Sequence, residues 1–483
     1  MTAQSSAVDQ PPVRSTVPAR MDRLPWTRFH WSVVVGLGVS WILDGLEIQL
    51  VAANGYADAL GMDAGQIGLT GTIYLIGQVV GALYFGRLTD KLGRKKLFIL
   101  TLAIYLLGSG IAGLAPNMAF LWVFRFVAGL GIGGEYTAIN SAIDELIPSK
   151  YRGRVDIAVN GTYWAGAILG ATANLWLLTP ENISWGWRVG FFIGPVLGLI
   201  IIYLRRHIPE SPRWLLTHGR AEEANATVDD IEARVQAEGA TLEPVPDSKS
   251  MLVKATVSIP FRQLLHVFFT KYPRRTFLGI TMMVTQSFLY NAIFFTYALV
   301  LTNFYGITKS GTSYYFFPFA IGNLLGPLLL GHLFDTIGRR KMIFSTYMVS
   351  GVILFVSALL FNAGTLTATT HTIFWCVAFF FASAGASAAY LTVSEIFPLE
   401  VRGQAISYFF AVAQGTGALG PVIYGALIGD AKNRTPLMWG YILGAAIMIF
   451  GGIVAWYFGI DAEGQSLEDI ADPLSKVSEE ASS

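Results

Sequence analysis

The sequence predicts an all-α membrane protein whose twelve transmembrane helices form two six-helix, pseudo-symmetric halves. Three observations carry that expectation: an apolar composition, twelve runs of spanning length, and two charged loop motifs that each occur twice. Apolar residues fill 53% of 483 positions and charged residues 13%, with a mean hydropathy of +0.52. An ordinary soluble domain carries about twice that charge content.

A spanning helix needs about 20 largely apolar residues. Runs near 31–53, 66–87, 97–115, 118–141, 155–178 and 187–205 supply six, and runs near 276–301, 312–333, 342–361, 372–394, 404–428 and 436–458 supply six more. None shows the ten-residue polar/apolar alternation of barrel strands, so the backbone satisfies itself as helix. The chain divides into an N-terminal tail (1–30), a first half (31–206), a polar central loop (207–273), a second half (274–459) and a C-terminal tail (460–483). No short apolar core with a small-residue cleavage site precedes Trp31, so the first span is expected to serve as the insertion signal.

Orientation follows from the placement of Lys and Arg rather than from the net charge of +1. Arg87, Lys91, Arg94, Lys95 and Lys96 follow span 2; Lys150, Arg152 and Arg154 follow span 4; Arg339, Arg340 and Lys341 follow span 8; the central segment is also basic. The other side has Arg188, Lys309, Lys432 and Arg434, and 54–65 and 362–371 contain no Lys or Arg. The expected arrangement is a multi-pass protein of the inner (plasma) membrane with both termini and the central loop cytoplasmic. Within the loop, Val228, Ile231 and Val235 lie on one helical face of 220–238, and 259–269 is a second amphipathic run. Both read as solvated helices bracing the halves. The tail after Asp461 is polar and acidic and is expected to be mobile.

Gly86, Asp90, Gly93, Arg94, Lys95 and Lys96 spell G-x-x-x-D-x-x-G-R-K-K, and Gly331, Asp335, Gly338, Arg339, Arg340 and Lys341 repeat the pattern, with Arg for the first Lys, 245 positions later. Glu145-x6-Arg152-Gly153 recurs as Glu395-x6-Arg402-Gly403 at an offset of 250. Two motifs at nearly one offset indicate duplicated halves. A topogenic charge cluster explains one such loop; two copies with the Gly and Asp spacing kept favour a mechanical role.

These loops resemble the signature loops of the major facilitator superfamily, and Pro209-Glu210-Ser211-Pro212-Arg213-Trp214-Leu215 resembles the sequence after helix 6 in its sugar porter branch. The resemblance covers nearly the whole chain. It implies a gate of ion pairs that hold one side closed and break as the carrier opens, assigned here to Gly86, Asp90, Gly93, Arg94, Glu145 and Arg152 and to Asp335, Gly338, Arg339, Glu395 and Arg402.

Asp44 and Glu47 lie three residues apart in span 1, on one face, and Arg125 and Glu135 lie in span 4. Ionised groups at bilayer depth cost several kcal/mol, so these side chains are expected to face a cavity or one another; the structural alternative is an ion pair that pins span 1 to span 4. A carboxylate facing Arg125 stays ionised until the pair opens, and then takes a proton. The resemblance supports this reading, since proton-coupled members carry an acid in helix 1 and an Arg that opens an R-x-x-x-G-x-G-x-G-G run, matched by Arg125, Gly129, Gly131, Gly133 and Gly134. Asp44, paired with Arg125, fits the coupling acid best, with Glu47 and Glu135 as alternates.

Asn160, Gln286, Asn291, Asn323, Tyr390 and Gln414 are isolated polar or aromatic groups in apolar spans. Each serves equally well as a helix bridge or a substrate contact. By resemblance all but Asn323 occupy positions where sugar porters read a hexose, but the helix 7 pattern keeps only one Gln and the Asn. The match is closer to the metabolite:proton symporters, which handle organic acids, aromatic acids and sugar-like solutes. The expected function is therefore proton-coupled import of a small organic metabolite by alternating access; a proton-coupled exporter or a non-transporting nutrient sensor on the same fold are the rivals. Helix 5 lacks the Gly-Pro signature of drug antiporters, which favours import.

No enzyme is expected. Gly129, Gly131 and Gly134 also satisfy G-x-G-x-x-G, but no strand precedes them, and small residues in a span serve helix packing. The single Cys376 and six scattered histidines give no metal or catalytic set. No cofactor, no metal and no nucleic-acid partner are expected; the expected partners are a small-molecule substrate, protons and lipid, and the chain reads as a monomer.

Overall fold

In the computed structural model, residues 13–474 are described except 53–55, 63, 178, 180, 206–208, 247–248, 254–260, 308–311, 429–432 and 473. The twelve spans are helices. The first six run Arg28–Ala52, Ala64–Leu92, Arg94–Ala112, Met118–Leu146, Ser149–Gly161 with Tyr163–Leu177, and Ile183–Arg205. The second six run Pro273–Tyr305, Thr312–Thr336, Arg339–Asn362, Ala368–Ile396, Leu399–Gly417 with Leu419–Ile428, and Thr435–Phe458.

Ten helices among the described residues are single pieces long and apolar enough to cross a bilayer. Spans 5 and 11 are each interrupted instead, at Thr162 and at Ala418, and no single piece of either qualifies. At the first interruption the Thr162 hydroxyl donates to the Val159 carbonyl at 2.6 Å, a back-bond that bends helices. Gly161 lies there against Pro327 of span 8, where any Cβ would collide.

Local chemistry sets the ends. Asn117 caps span 4 by accepting from the Phe120 N–H at 2.9 Å, and Thr367 caps span 10, 250 positions on, in a reciprocal box with Thr370. Gly93 and Gly338 precede spans 3 and 9 with φ of 93° and 113°, a conformation that side chains resist. The glycines of span 4 are packing residues: a Cβ on Gly129 would meet the Tyr74 backbone of span 2, and one on Gly131 the Tyr105 backbone of span 3.

Span 2 packs on span 11 and span 5 on span 8, joining the halves. The side where the repeated basic loops lie, the basic face, carries additional structure. Helix Ala221–Ala237 buries Val228, Ile231 and Val235, as its periodicity predicts. What covers them differs from expectation, because the N-terminal segment docks here. Strand Val13–Ser15 pairs antiparallel with Met251–Val253, and Arg20 and Arg23 both bind Glu232 at 2.6 Å. Burial opposes the ionised form of Glu232, but the two guanidiniums hold its carboxyl below the usual range. The second run is helix Phe261–His266 continued by a π-turn Val267–Lys271; residues 254–260 lie outside the described ones. The tail is not free over 461–472: Glu463 accepts from the Arg339 N–H at 3.3 Å, and Glu468 meets Arg213 at 3.0 Å.

Candidate functional site

Between the halves lies a cavity of about 220 Å³. Spans 1, 4, 5, 7 and 10 place Trp41, Tyr136, Tyr163, Trp164, Tyr290 and Tyr390 on its wall. Trp41 stacks on Tyr136 with ring centroids 4.4 Å apart, and Trp164 tilts against Tyr290 at 6.0 Å, so flat faces from both halves look into one space. The polar groups on the wall include amides and hydroxyls, and among the described residues no charged side chain lines the cavity.

Five of the six residues singled out for the substrate, Asn160, Gln286, Asn291, Tyr390 and Gln414, lie on this wall. Asn323 does not. It is buried behind Tyr290 and accepts from the tyrosine hydroxyl at 2.8 Å, so it holds a wall residue in place. A polar chain crosses the cavity: Asn291 donates to Ser287 at 3.2 Å, Ser287 to Gln414 at 2.8 Å, and Gln414 to Gln78 of the first half at 3.1 Å. Gln286 lies on the same wall beside the Tyr347 hydroxyl, and its amide carries both a donor and an acceptor.

The intramembrane charges are arranged differently from the expected Asp44–Arg125 pair. Arg125 binds Glu47, with Nη1 to Oε1 at 2.6 Å and both side chains no more than 3% exposed. Asp44 is instead held by two tyrosines: Tyr74 donates to Oδ1 at 2.9 Å and Tyr136 donates to Oδ2. The physical reason is the helical register. A three-residue step turns a helix by about 300°, so Asp44 and Glu47 share a side of span 1 without sharing a partner. The two acids remain linked, because the Tyr74 ring that holds Asp44 lies 4.1 Å beneath the Arg125 guanidinium. Glu135 is buried within span 4 on the same side of the cavity. Tyr74 and Tyr136 escaped the sequence reading, since an aromatic in an apolar run carries no mark of a polar role; the acid in span 1 was the signal that hydroxyl donors must stand near it.

Toward the basic face the halves are sealed by reciprocal ion pairs. Glu145 of the first half holds Arg94 at 2.8 Å and reaches Arg402 of the second at 3.7 Å; Glu395 of the second holds Arg339 at 2.9 Å and reaches Arg152 of the first at 3.6 Å. Asp335 binds Arg339 at 2.5 Å and also accepts from the Arg154 N–H across the boundary at 2.8 Å. Gly86 lies against Ser407 with no room for a Cβ. The Asp90 side chain lies outside the described residues. Arg213 of the Pro209–Leu215 motif adds a third layer, binding Asp22 at 2.8 Å and the Glu145 carbonyl at 3.2 Å. Glu210 accepts the Arg94 N–H at 2.9 Å, as Glu463 does for Arg339. Burial raises the pKa of Glu210, opposed by these backbone donors and by Arg94. Among the described residues, no cluster of His, Cys, Asp and Glu could hold a metal ion.

Comparison with known proteins accounts for this arrangement. A model of the family "Sugar (and other) transporter" matches residues 45–473. The chain is 30% identical over 473 residues to "Putative metabolite transport protein YdjK" of Escherichia coli K12, covering 94% of this chain and 96% of that protein. It is 24% identical over 464 residues to "Niacin transporter NiaP" of Acinetobacter baylyi, covering 94% and 99%. A solved structure of the proton:xylose symporter XylE, of the major facilitator superfamily, superposes with a TM-score of 0.75 at 16% identity over 92% of this chain and 98% of that one, a likeness of fold. With its twelve spans, its duplicated loops and a family match over most of its length, the chain has the major facilitator fold, belongs to the sugar (and other) transporter family and is a membrane transporter.

Proposed function

We propose that the protein is a proton-coupled importer that carries a small, ring-bearing, polar metabolite by alternating access. The observation that carries this reading is Tyr136. It stacks on Trp41 in the cavity wall and donates to Asp44, so one side chain touches both the solute space and a buried acid. Proton occupancy of Asp44 changes what the Tyr136 hydroxyl can donate to, and a bound solute changes where the ring sits. The Glu47–Arg125 pair next to it neutralises the remaining local charge.

The uncharged wall argues for a solute that binds without net charge: a neutral amide or sugar-like ring, or an acid that arrives protonated. A bare carboxylate would lie in an apolar, aromatic space with no cation to meet it. Arg125, which alone suggested a carboxylate site, is occupied by Glu47. A pyridine ring with an uncharged carboxyl, as in the niacin named for one relative, or with the matching carboxamide, suits the stacked aromatics and the Gln286 amide on the wall. Thermal unfolding of purified protein with nicotinamide, niacin, benzoate and xylose tests this, because a ligand of the native state raises the midpoint. Stabilisation by nicotinamide, or by niacin only at low pH, is expected; stabilisation by ionised benzoate at neutral pH would overturn the uncharged-solute reading.

The basic face is assigned to the cytoplasm, with both termini and the central loop. Impermeant thiol labelling from outside is expected to reach a cysteine at Asn182 and to miss one at Asp230; the reverse pattern would overturn the orientation. The ion pairs then form the inner gate in its closed state. Replacing Glu395 with Gln takes from Arg152 its acid across the boundary and from Arg339 its bidentate partner, and a buried pair that loses one member is destabilised by about 3–5 kcal/mol. Labelling of Ser407→Cys in a Cys376→Ser background is expected to rise tenfold or more, roughly, on this substitution.

A further inference from the structure

Asp144 of span 4 and Asp156 of span 5 belong to neither the cavity nor the ion pairs described above. Both are fully buried; the Ser394 hydroxyl is the neutral donor beside Asp144 and the Asn160 amide the one beside Asp156. They lie inside the sealed layer and within electrostatic reach of each other. Asp144 faces Arg152 of span 5, Arg402 of span 11, and Glu395 with Ser394 of span 10; Asp156 faces Asp144, Glu395, Arg339 of span 9 and Asn160 of its own span.

Two features set them apart from the rest of the gate. They break its symmetry: at the offset of 250 that relates Glu145 to Glu395, their counterparts are Ser394 and Ile406, so these two acids are surplus in the first half. The arginines beside them are also incompletely used. Arg152 approaches Glu395 at 3.6 Å and Asp22 at 3.5 Å, yet all three of its side-chain nitrogens lack a hydrogen bond, as do Nε and Nη1 of Arg402.

We infer that Asp144 and Asp156 together bind one proton while the halves are closed at the basic face, and release it when they part. A buried pair of neighbouring carboxylates whose neutral donors are only Ser394 and Asn160 does not hold two negative charges, and one proton on the pair removes the repulsion. Parting the halves takes Glu395 away from Arg152, leaves that guanidinium in the same half as Asp144, and admits water. The O–H bond of the shared carboxyl then breaks, the proton passes to water at the basic face, and the ionised Asp144 replaces Glu395 as the partner of Arg152. The gate is therefore a proton site in its own right, separate from Asp44, and acid at the basic face keeps it shut.

This inference rests on the alternating-access reading, and one experiment separates the two. Spin labels at Lys150→Cys and Lys341→Cys, exposed at the starts of spans 5 and 9 in opposite halves, report the closed and open populations in a Cys376→Ser background by their distance distribution. In the otherwise unaltered protein the closed-to-open ratio is expected to rise as pH falls, by up to about tenfold per pH unit for one linked proton. Asp144→Asn and Asp156→Asn, each made in an Asp44→Asn background that silences the other proposed proton site, are expected to flatten that slope. Two distances whose ratio ignores pH, or a slope that survives both gate substitutions, overturn the proton site and leave alternating access standing. A single distance under all conditions overturns alternating access itself. Should one variant fail to elute as folded protein, the other decides.

Discussion

Replacing Arg125 with alanine is expected to reduce uptake by about a hundredfold or more and to lower thermal stability. It strands Glu47, which is 1% exposed and has Arg125 as its ion-pair partner at 2.6 Å. Leaving one member of such a pair buried and unpaired costs about 3–5 kcal/mol. It also removes the cation above the Tyr74 ring, and Tyr74 is one of the two donors to Asp44, so the loss extends to the neighbouring acid. The double variant Arg125→Ala with Glu47→Gln separates these contributions. Stability is expected to recover in the double variant, because no charge is then stranded, while accumulation stays lost. An Arg125→Ala protein with normal stability and near-normal uptake would show that the pair has no part in the cycle. The same geometry makes Glu47→Gln damaging rather than mild, since it strands Arg125 in turn.

Asp44→Asn is expected to abolish accumulation against a gradient while leaving exchange of bound solute across the membrane. The asparagine accepts from one tyrosine through its carbonyl oxygen and stays neutral throughout the cycle, imitating the protonated acid. Uptake driven by a proton gradient should fall to the level of passive equilibration in reconstituted vesicles, and counterflow at equal pH should persist within a few-fold. Tyr136→Phe provides the mechanistic check. It keeps the ring stacked on Trp41 but removes the hydroxyl from Asp44, so it should keep solute binding and weaken the pH dependence of uptake. An Asp44→Asn protein that still concentrates its solute would remove Asp44 from the coupling role and pass it to Glu47 or Glu135.

How far each feature was legible in the sequence depends on the length scale of the physics behind it. Burial of an uninterrupted backbone in lipid is a one-dimensional requirement, so the twelve runs, and the duplication marked by Gly86 to Lys96 and Gly331 to Lys341, could be read directly. The ion pairs between the halves were nearly as legible, because their acids and bases are few in an apolar chain and must find one another: Glu145 with Arg94 and Arg402, Glu395 with Arg339 and Arg152. Partner choice was not. The sequence says that Asp44, Glu47 and Arg125 must be compensated, but which acid meets the arginine depends on the rotation of span 1 against span 4, a difference of a few ångströms between helices more than seventy residues apart. Aromatic roles were hidden for a related reason. Tyr74 and Tyr136 look like any other large apolar residue in a span until packing turns their hydroxyls toward Asp44. The N-terminal segment and the tail looked like loose polar chain. Only in three dimensions do Asp22 and Glu468 reach Arg213 at the basic face, because contacts between segments so far apart in a 483-residue sequence leave no periodic trace in its order of residues.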